Sequence, residues 1–197
     1  MKKITRQSPI QRDDDTDFEG GGWRSPPKTG YRRTGQTLSV PAKAIALAFD
    51  IFSRYAAARL EAGIFFYGDR VEDGNAIVKA VVVPEQTNRW GNYHVTGDAM
   101  AAVALATRSY HWLNLSQIHS HPGRDVEHSP YDDEQANSRH ALSFVFPSYG
   151  GSPKSWPKDI GVHEWQGGYW HLLSEAHARV RVSPVNGDAI LIDLRKS

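Results

Sequence analysis

Between residues 41 and 68 the hydrophobic period of the chain changes within one short stretch. No other feature limits the folds open to it more. "PAKAIALAFDIFSRYAAARL" places Ile45, Leu47, Ala48, Phe52, Tyr55 and Ala56 at helical spacing, with Pro41 suited to the first turn. "AGIFFYG" follows almost at once, a compact apolar run closed by glycines, which suits a buried strand. A helix feeding directly into a buried strand predicts layers of both kinds packed on one core.

The rest of the chain repeats that alternation. Strands are predicted at "QTLSV", "AIVKAVVVPE", "WLNLSQIHSHP", "LSFVFPS", "ARVRVSP" and "AILIDLR". "IGVHEWQGGYWHLLS" reads as a hairpin turning at Gly167-Gly168. "TGDAMAAVALATRSY" reads as a helix capped by Thr96 or Asp98, and Ser129-Pro130 starts another that runs to about His140. Strands outnumber helices and several neighbours join through short turns. The expected class is therefore α+β, with helices flanking a mixed, mostly antiparallel sheet. At 197 residues this is one domain, expected over residues 37–197. Residues 1–36, rich in Gly, Pro and charge, are expected to form a flexible N-terminal tail. Within it Trp23 and Tyr31, among Arg24, Arg32 and Arg33, would be the anchors of any partner-binding arm.

Composition removes several functions. There is no cysteine, so disulfides, thiolate metal sites and a cysteine nucleophile are excluded. A bound transition metal would have to use His, Asp or Glu. The net charge of +1 gives no support to nucleic acid or an acidic membrane as partner. No apolar run approaches the ~20 residues of a membrane span. "MKKITRQ" has no apolar stretch behind it and is not a secretory signal, so the expected location is the cytoplasm.

The chemistry concentrates in "LSQIHSHPGRDVEHSPYDDEQA". His119 and His121 stand two apart at a strand end, so both imidazoles project to one side. They are either a metal pair or a polar rim. Asp132 lies at the start of a helix, where a carboxylate is favoured. Ser129 and Asp132 form a Ser-x-x-Asp pattern that capping alone would explain. Two histidines and a carboxylate also make the three-ligand pattern of a catalytic zinc site. Hydrolysis there needs a carboxylate that moves protons without binding the metal. Glu61, between the long helix and "AGIFFYG", is the candidate, unless it is an exposed helix-end residue.

Taken together, these residues resemble the JAMM (JAB or MPN-plus) metallopeptidases. The signature of that family is His-x-His, a seven-residue spacer that opens with Pro, and Ser-x-x-Asp. Here it is carried by His119, His121, Pro122, Ser129 and Asp132, with Glu61 opening the Gly-bounded strand. The resemblance spans about residues 38–147. It implies a JAB/MPN, cytidine-deaminase-like fold, with Zn²⁺ held by His119, His121 and Asp132. Glu61 would be base and then acid for the zinc-bound water, and Ser129 a donor to the oxyanion. The implied activity is cleavage after the C-terminus of a ubiquitin-like protein, to process it or deconjugate it. The compact chain is most similar to prokaryotic stand-alone members, which work beside E1-like and E2-like proteins, some of them against phage. Sulfur-carrier processing and a non-catalytic scaffold of the same fold are the alternatives. His128 and Asp133 lie off the pattern and are read as supporting or solvent residues. His94, His111, His140, His163, His171 and His177 are read as structural. The "SYGGSPKSWPKD" loop is read as either a solvent loop or a mobile flap anchored by Trp156.

Overall fold

A computed structural model describes residues 24–71, 73–136, 140–151 and 155–196. Among the described residues the first elements are strand β1 (Leu38–Pro41) and helix α1 (Ala42–Ala58), which ends in a left-handed Arg59. Strands β2 (Gly63–Arg70) and β3 (Ala76–Val83) follow, then the short hairpin of β4 (Thr87–Asn88) and β5 (Tyr93–His94). Helix α2 (Gly97–Thr107) starts at Thr96, whose side chain accepts from the Ala99 amide. Next come β6 (Leu113–Ser120), α3 (Pro130–Gln135) and β7 (Leu142–Phe146). The chain finishes with β8 (Gly161–Gln166), β9 (Tyr169–Leu172), α4 (Glu175–Arg181), β10 (Val182–Val185) and β11 (Ile190–Asp193).

The main sheet runs in the order β10-β1-β3-β2-β6-β7-β8-β9, with β11 also on β3. The α+β class is as expected, but the sheet is not mostly antiparallel. Its β1–β10, β1–β3, β3–β11 and β6–β7 pairs are parallel, and its β2–β3, β2–β6, β7–β8 and β8–β9 pairs are antiparallel. Short turns force antiparallel neighbours, but longer connections such as the one through α3 allow parallel ones. One edge of β3 is shared. Ala76 and Ile77 face β1, while Ala80–Val83 face β11.

The core fills one face of this sheet. α1 buries Ala44, Ala48, Ile51 and Phe52 against it, and Phe52 stacks on Phe146 at 4.7 Å. Truncating such a ring costs about 3–5 kcal/mol. A smaller cluster of Tyr67, Ala80, Val82 and Val103 seats α2 on the other face. No helix among the described residues is long and apolar enough to cross a membrane.

Two expected boundaries move. Helix α3 stops at Gln135 rather than near His140, closed by the Ala136 amide on Asp132 O, and residues 137–139 lie outside the described ones. "ARVRVSP" is strand only from Val182. Its first residues belong to α4, which Ser174 caps and a Glu175–Arg179 pair at 2.7 Å supports. Alternating Val and Arg fits either period, and the cap decides. Trp23 lies outside the described residues. Residues 24–36 carry no helix or strand, as a tail would, yet they are fastened to the domain. Tyr31 donates to Glu164 at 2.7 Å, and Gln166 bonds both the amide and the carbonyl of Arg32.

Candidate metal centre

The site forms where β6 leaves the sheet. Gly63 of β2 pairs with His119 of β6, and beyond them the Ser120 amide donates to Ala62 O at 3.1 Å. That register carries Glu61 to the level of His121. The His121 amide donates to Phe146 O at 2.8 Å, so the chain stays extended one residue past β6. His119 and His121 therefore point the same way, as alternation predicts.

Asp132 arrives on α3. The Ser129 side chain accepts from the Asp132 amide at 3.2 Å, and the Asp132 carboxylate accepts from the Ser129 amide at 2.7 Å. This is a complete capping box. The cap and the ligand readings of Asp132 coexist, because the cap turns the carboxylate toward the histidines. His119 Nε2 lies 3.1 Å from His121 Nε2 and 3.3 Å from Asp132 Oδ1, and His121 Nε2 lies 3.1 Å from Asp132 Oδ2. A tetrahedral ion with ligands at about 2.0–2.1 Å has donor-to-donor edges of about 3.3 Å. The donor set thus fits one cation, and it is the group of described residues that could hold a metal ion.

The electrostatics agree with a site built for positive charge. Burial would raise the Asp132 pKa, but the two imidazoles hold it far below the usual carboxylate range. Burial would lower His121, yet its bond to Asp132 carries it upward. Glu61 is 6% exposed, so it is not the exposed helix-end residue that its position allowed. Burial, reinforced by Asp132 and opposed by His121, pushes its pKa up to about 7. A carboxyl tuned there can both take and return a proton near neutral pH.

The hairpin β4–β5 adds a residue that sequence reading missed. It brings Tyr93 over His119, with ring centroids 5.9 Å apart and planes inclined by 29°. Gly63 makes room for that ring, since a Cβ there would lie 2.2 Å from Tyr93 Cε2. Burial, with help from Asp132 and Glu61, raises the Tyr93 phenol. The ring also lines a cleft of about 190 Å³ with Phe65, Met100, Gln117 and Gln135. A larger open depression near Leu105 and Trp112 holds none of the site residues.

His128 is not solvent-facing. It lies behind His119, 5.6 Å between centroids, and stacks on His163 at 4.1 Å. Burial lowers the pKa of both well below that of an ordinary histidine. His163 is fully buried with neither ring nitrogen bonded among the described residues. His171 is buried too, tilted on the Tyr31 ring, and His94, His111 and His140 are exposed. Of the loop at 148–159, residues 152–154 lie outside the described ones. Trp156 does not face the site. Its ring packs on Phe66, Phe144 and Phe146 in the core, which fixes that end of the loop. The other end spans the site, with the Tyr149 amide on His121 O and its hydroxyl on Trp90 O at 2.9 Å.

No protein-family model matches the chain, and no curated protein matches it. Among solved structures it is similar to the solution structure of protein DSY2949 from Desulfitobacterium hafniense. The TM-score is 0.57 at 14% identity, over 77% of this chain and 94% of that one. A protein from Salinibacter ruber gives 0.49 at 19% identity, over 69% and 88%. The first likeness is one of fold, a curled mixed sheet with a few helices, and at that identity it extends no further.

Proposed function

We propose that the chain is a zinc-dependent peptidase or isopeptidase that cuts after the C-terminus of a ubiquitin-like protein. One observation carries this reading. Three donors sit at the edge lengths of a tetrahedral ion, and a buried carboxylate, Glu61, stands beside them without joining the set. Zinc bound there would supply a Lewis acid and a water of lowered pKa. Everything else falls to the chain. Glu61 takes the proton of the attacking water on its carboxylate and returns it to the leaving amine. Ser129 uses its oxygen as an acceptor in the cap, which leaves its hydroxyl hydrogen for the oxygen that gains charge at the scissile carbon. Asp132, anchored by the same cap, keeps the ligand set from spreading.

The substrate class rests on the resemblance of His119 to Asp132, with Glu61, to the JAMM signature. A ubiquitin-like tail is extended and can add as a strand beside the site. The two-residue strands of the β4–β5 hairpin, next to the cleft, offer such an edge. E1-like and E2-like proteins of a bacterial conjugation system are the partners this reading implies.

The test is to load the protein with zinc, incubate it with ubiquitin-like fusions and read the products by intact mass. The expected result is one zinc per chain, a single cut after the modifier, and Glu61→Ala keeping zinc but losing cleavage. A zinc-loaded protein that cuts no fusion, or a Glu61→Ala variant that cuts as fast as wild type, refutes the reading.

A further inference from the structure

We propose that Arg24 is a positioning residue for the metal centre, fastening the helix that carries Asp132 to the sheet. The inference rests on the reading of a metal at His119, His121 and Asp132, and concerns what holds the third ligand in place.

Helix α3 has only six residues. A helix that short has little stability of its own and keeps its place through tertiary contacts. It makes them through the residues that flank the capping box. On one side His128, just before the cap, reaches Ser143 Oγ of β7 at 2.8 Å through Nε2. On the other side Asp133, directly after the ligand, meets His128 Nδ1 at 3.0 Å with one oxygen. Its second oxygen accepts from Arg24 Nε at 2.7 Å. The same guanidinium donates through Nη2 to the Trp170 carbonyl of β9 at 2.8 Å, and lies 4.1 Å over the Tyr169 ring. Glu127 adds a looser contact at 3.8 Å.

The result is a continuous path from β9 to Arg24, Asp133, His128 and β7, with the ligand-bearing turn held inside it. The Arg24 side chain is 8% exposed, so the charge is used in a site and not spent in solvent. The task also suits arginine more than lysine. A planar fork can donate to a carboxylate and a carbonyl in two fixed directions while its face rests on an aromatic ring, and a single ammonium cannot do all three. Arg24 therefore supports the metal centre from outside the ligand motif.

Partners that orient metal ligands typically change metal affinity by about 10- to 100-fold when removed. The experiment measures zinc dissociation constants by chelator competition for wild type, Arg24→Gln, Arg24→Lys and Asp133→Asn. Arg54→Gln, the loss of an exposed charge on α1, is the control. Thermal unfolding of the zinc-free proteins reports folding separately. The expected result is a zinc Kd raised at least about 10-fold in Arg24→Gln and Asp133→Asn, less in Arg24→Lys, and unchanged in Arg54→Gln. If Arg24→Gln does not fold, Asp133→Asn decides alone, since it keeps the side chain's size while removing the charge that Arg24 grips and one of the two oxygens that accept from Arg24 and His128. A folded variant with the wild-type Kd overturns the inference while leaving the metal reading intact. Wild type without zinc affinity overturns the metal reading itself, and the role of Arg24 with it.

Discussion

Replacing Glu61 by glutamine should stabilise the metal-free protein at neutral pH while ending the proposed cleavage. The carboxyl is almost fully buried, and its pKa moves from an ordinary 4.5 to about 7. Each pH unit of such a displacement corresponds to about 1.4 kcal/mol, so ionising Glu61 inside the fold costs about 3 kcal/mol. The sign follows from proton counts. Between the two values the unfolded chain has lost this proton and the folded chain keeps it. Stability is therefore full below pH 4.5 and is lost as pH rises to about 7, after which it levels off. Glutamine has nearly the same shape and no charge, so Glu61→Gln lacks that loss. Urea unfolding of both proteins after removal of metal measures the difference. With a slope of about 2–3 kcal/mol/M, the variant's midpoint should exceed wild type by about 1 M at neutral pH and match it in acid. Zinc should shrink the gap, because a nearby dication makes the Glu61 charge favourable. Two midpoint curves running parallel across the whole pH range would refute both the burial cost and the tuned carboxyl.

Ser129→Ala should lose about 1 kcal/mol of stability with the cap, and, in the proposed reaction, about 10²–10³-fold in kcat with little change in KM; steady-state kinetics beside urea unfolding separates the two. Gly63→Ala should push Tyr93 off His119 and destabilise the fold by about 1–3 kcal/mol, since the new methyl would overlap the ring; an unchanged urea midpoint would show that the hairpin yields freely. His163→Phe should fold at least as stably as wild type, because a ring that keeps the stack on His128 removes two buried nitrogens without partners among the described residues; a loss of several kcal/mol would mean that those nitrogens are bonded.

The cluster that could hold an ion, and the cap beside it, were legible because local geometry is written in spacing. Two residues along a strand return to one face, and three residues into a helix return to its cap, so His119, His121, Ser129 and Asp132 could be placed without the fold. Glu61 was legible only as a candidate, since its burial depends on the register of β2 against β6. Tyr93 was not legible at all. Strands of two residues have no period, and only the Trp-Gly-Asn run between Arg89 and Tyr93 hinted at a turn. Arg24 and Asp133 are 109 positions apart, and composition marked the first as part of a tail. Strand direction was misjudged for a related reason. The period of a strand records which faces are buried and says nothing about which way its neighbour runs.

The shared edge of β3 bears on how the chain behaves when it is incomplete. Ala80–Val83 are fully buried, without charge, and followed by Pro84 only after the run ends. Among the described residues β11 is the strand that pairs with their outer edge along that stretch. A chain cut before Ile190 would leave four apolar residues with open amides and carbonyls, the template that other chains add to when proteins aggregate. β11 itself ends in a charged cluster, Asp193 with Arg195, and the Lys196 amide is tied back to Glu85. The last strand thus covers that border of β3 and ends in charge, and shortened chains should be recovered as insoluble material before any loss at the candidate metal centre can be measured.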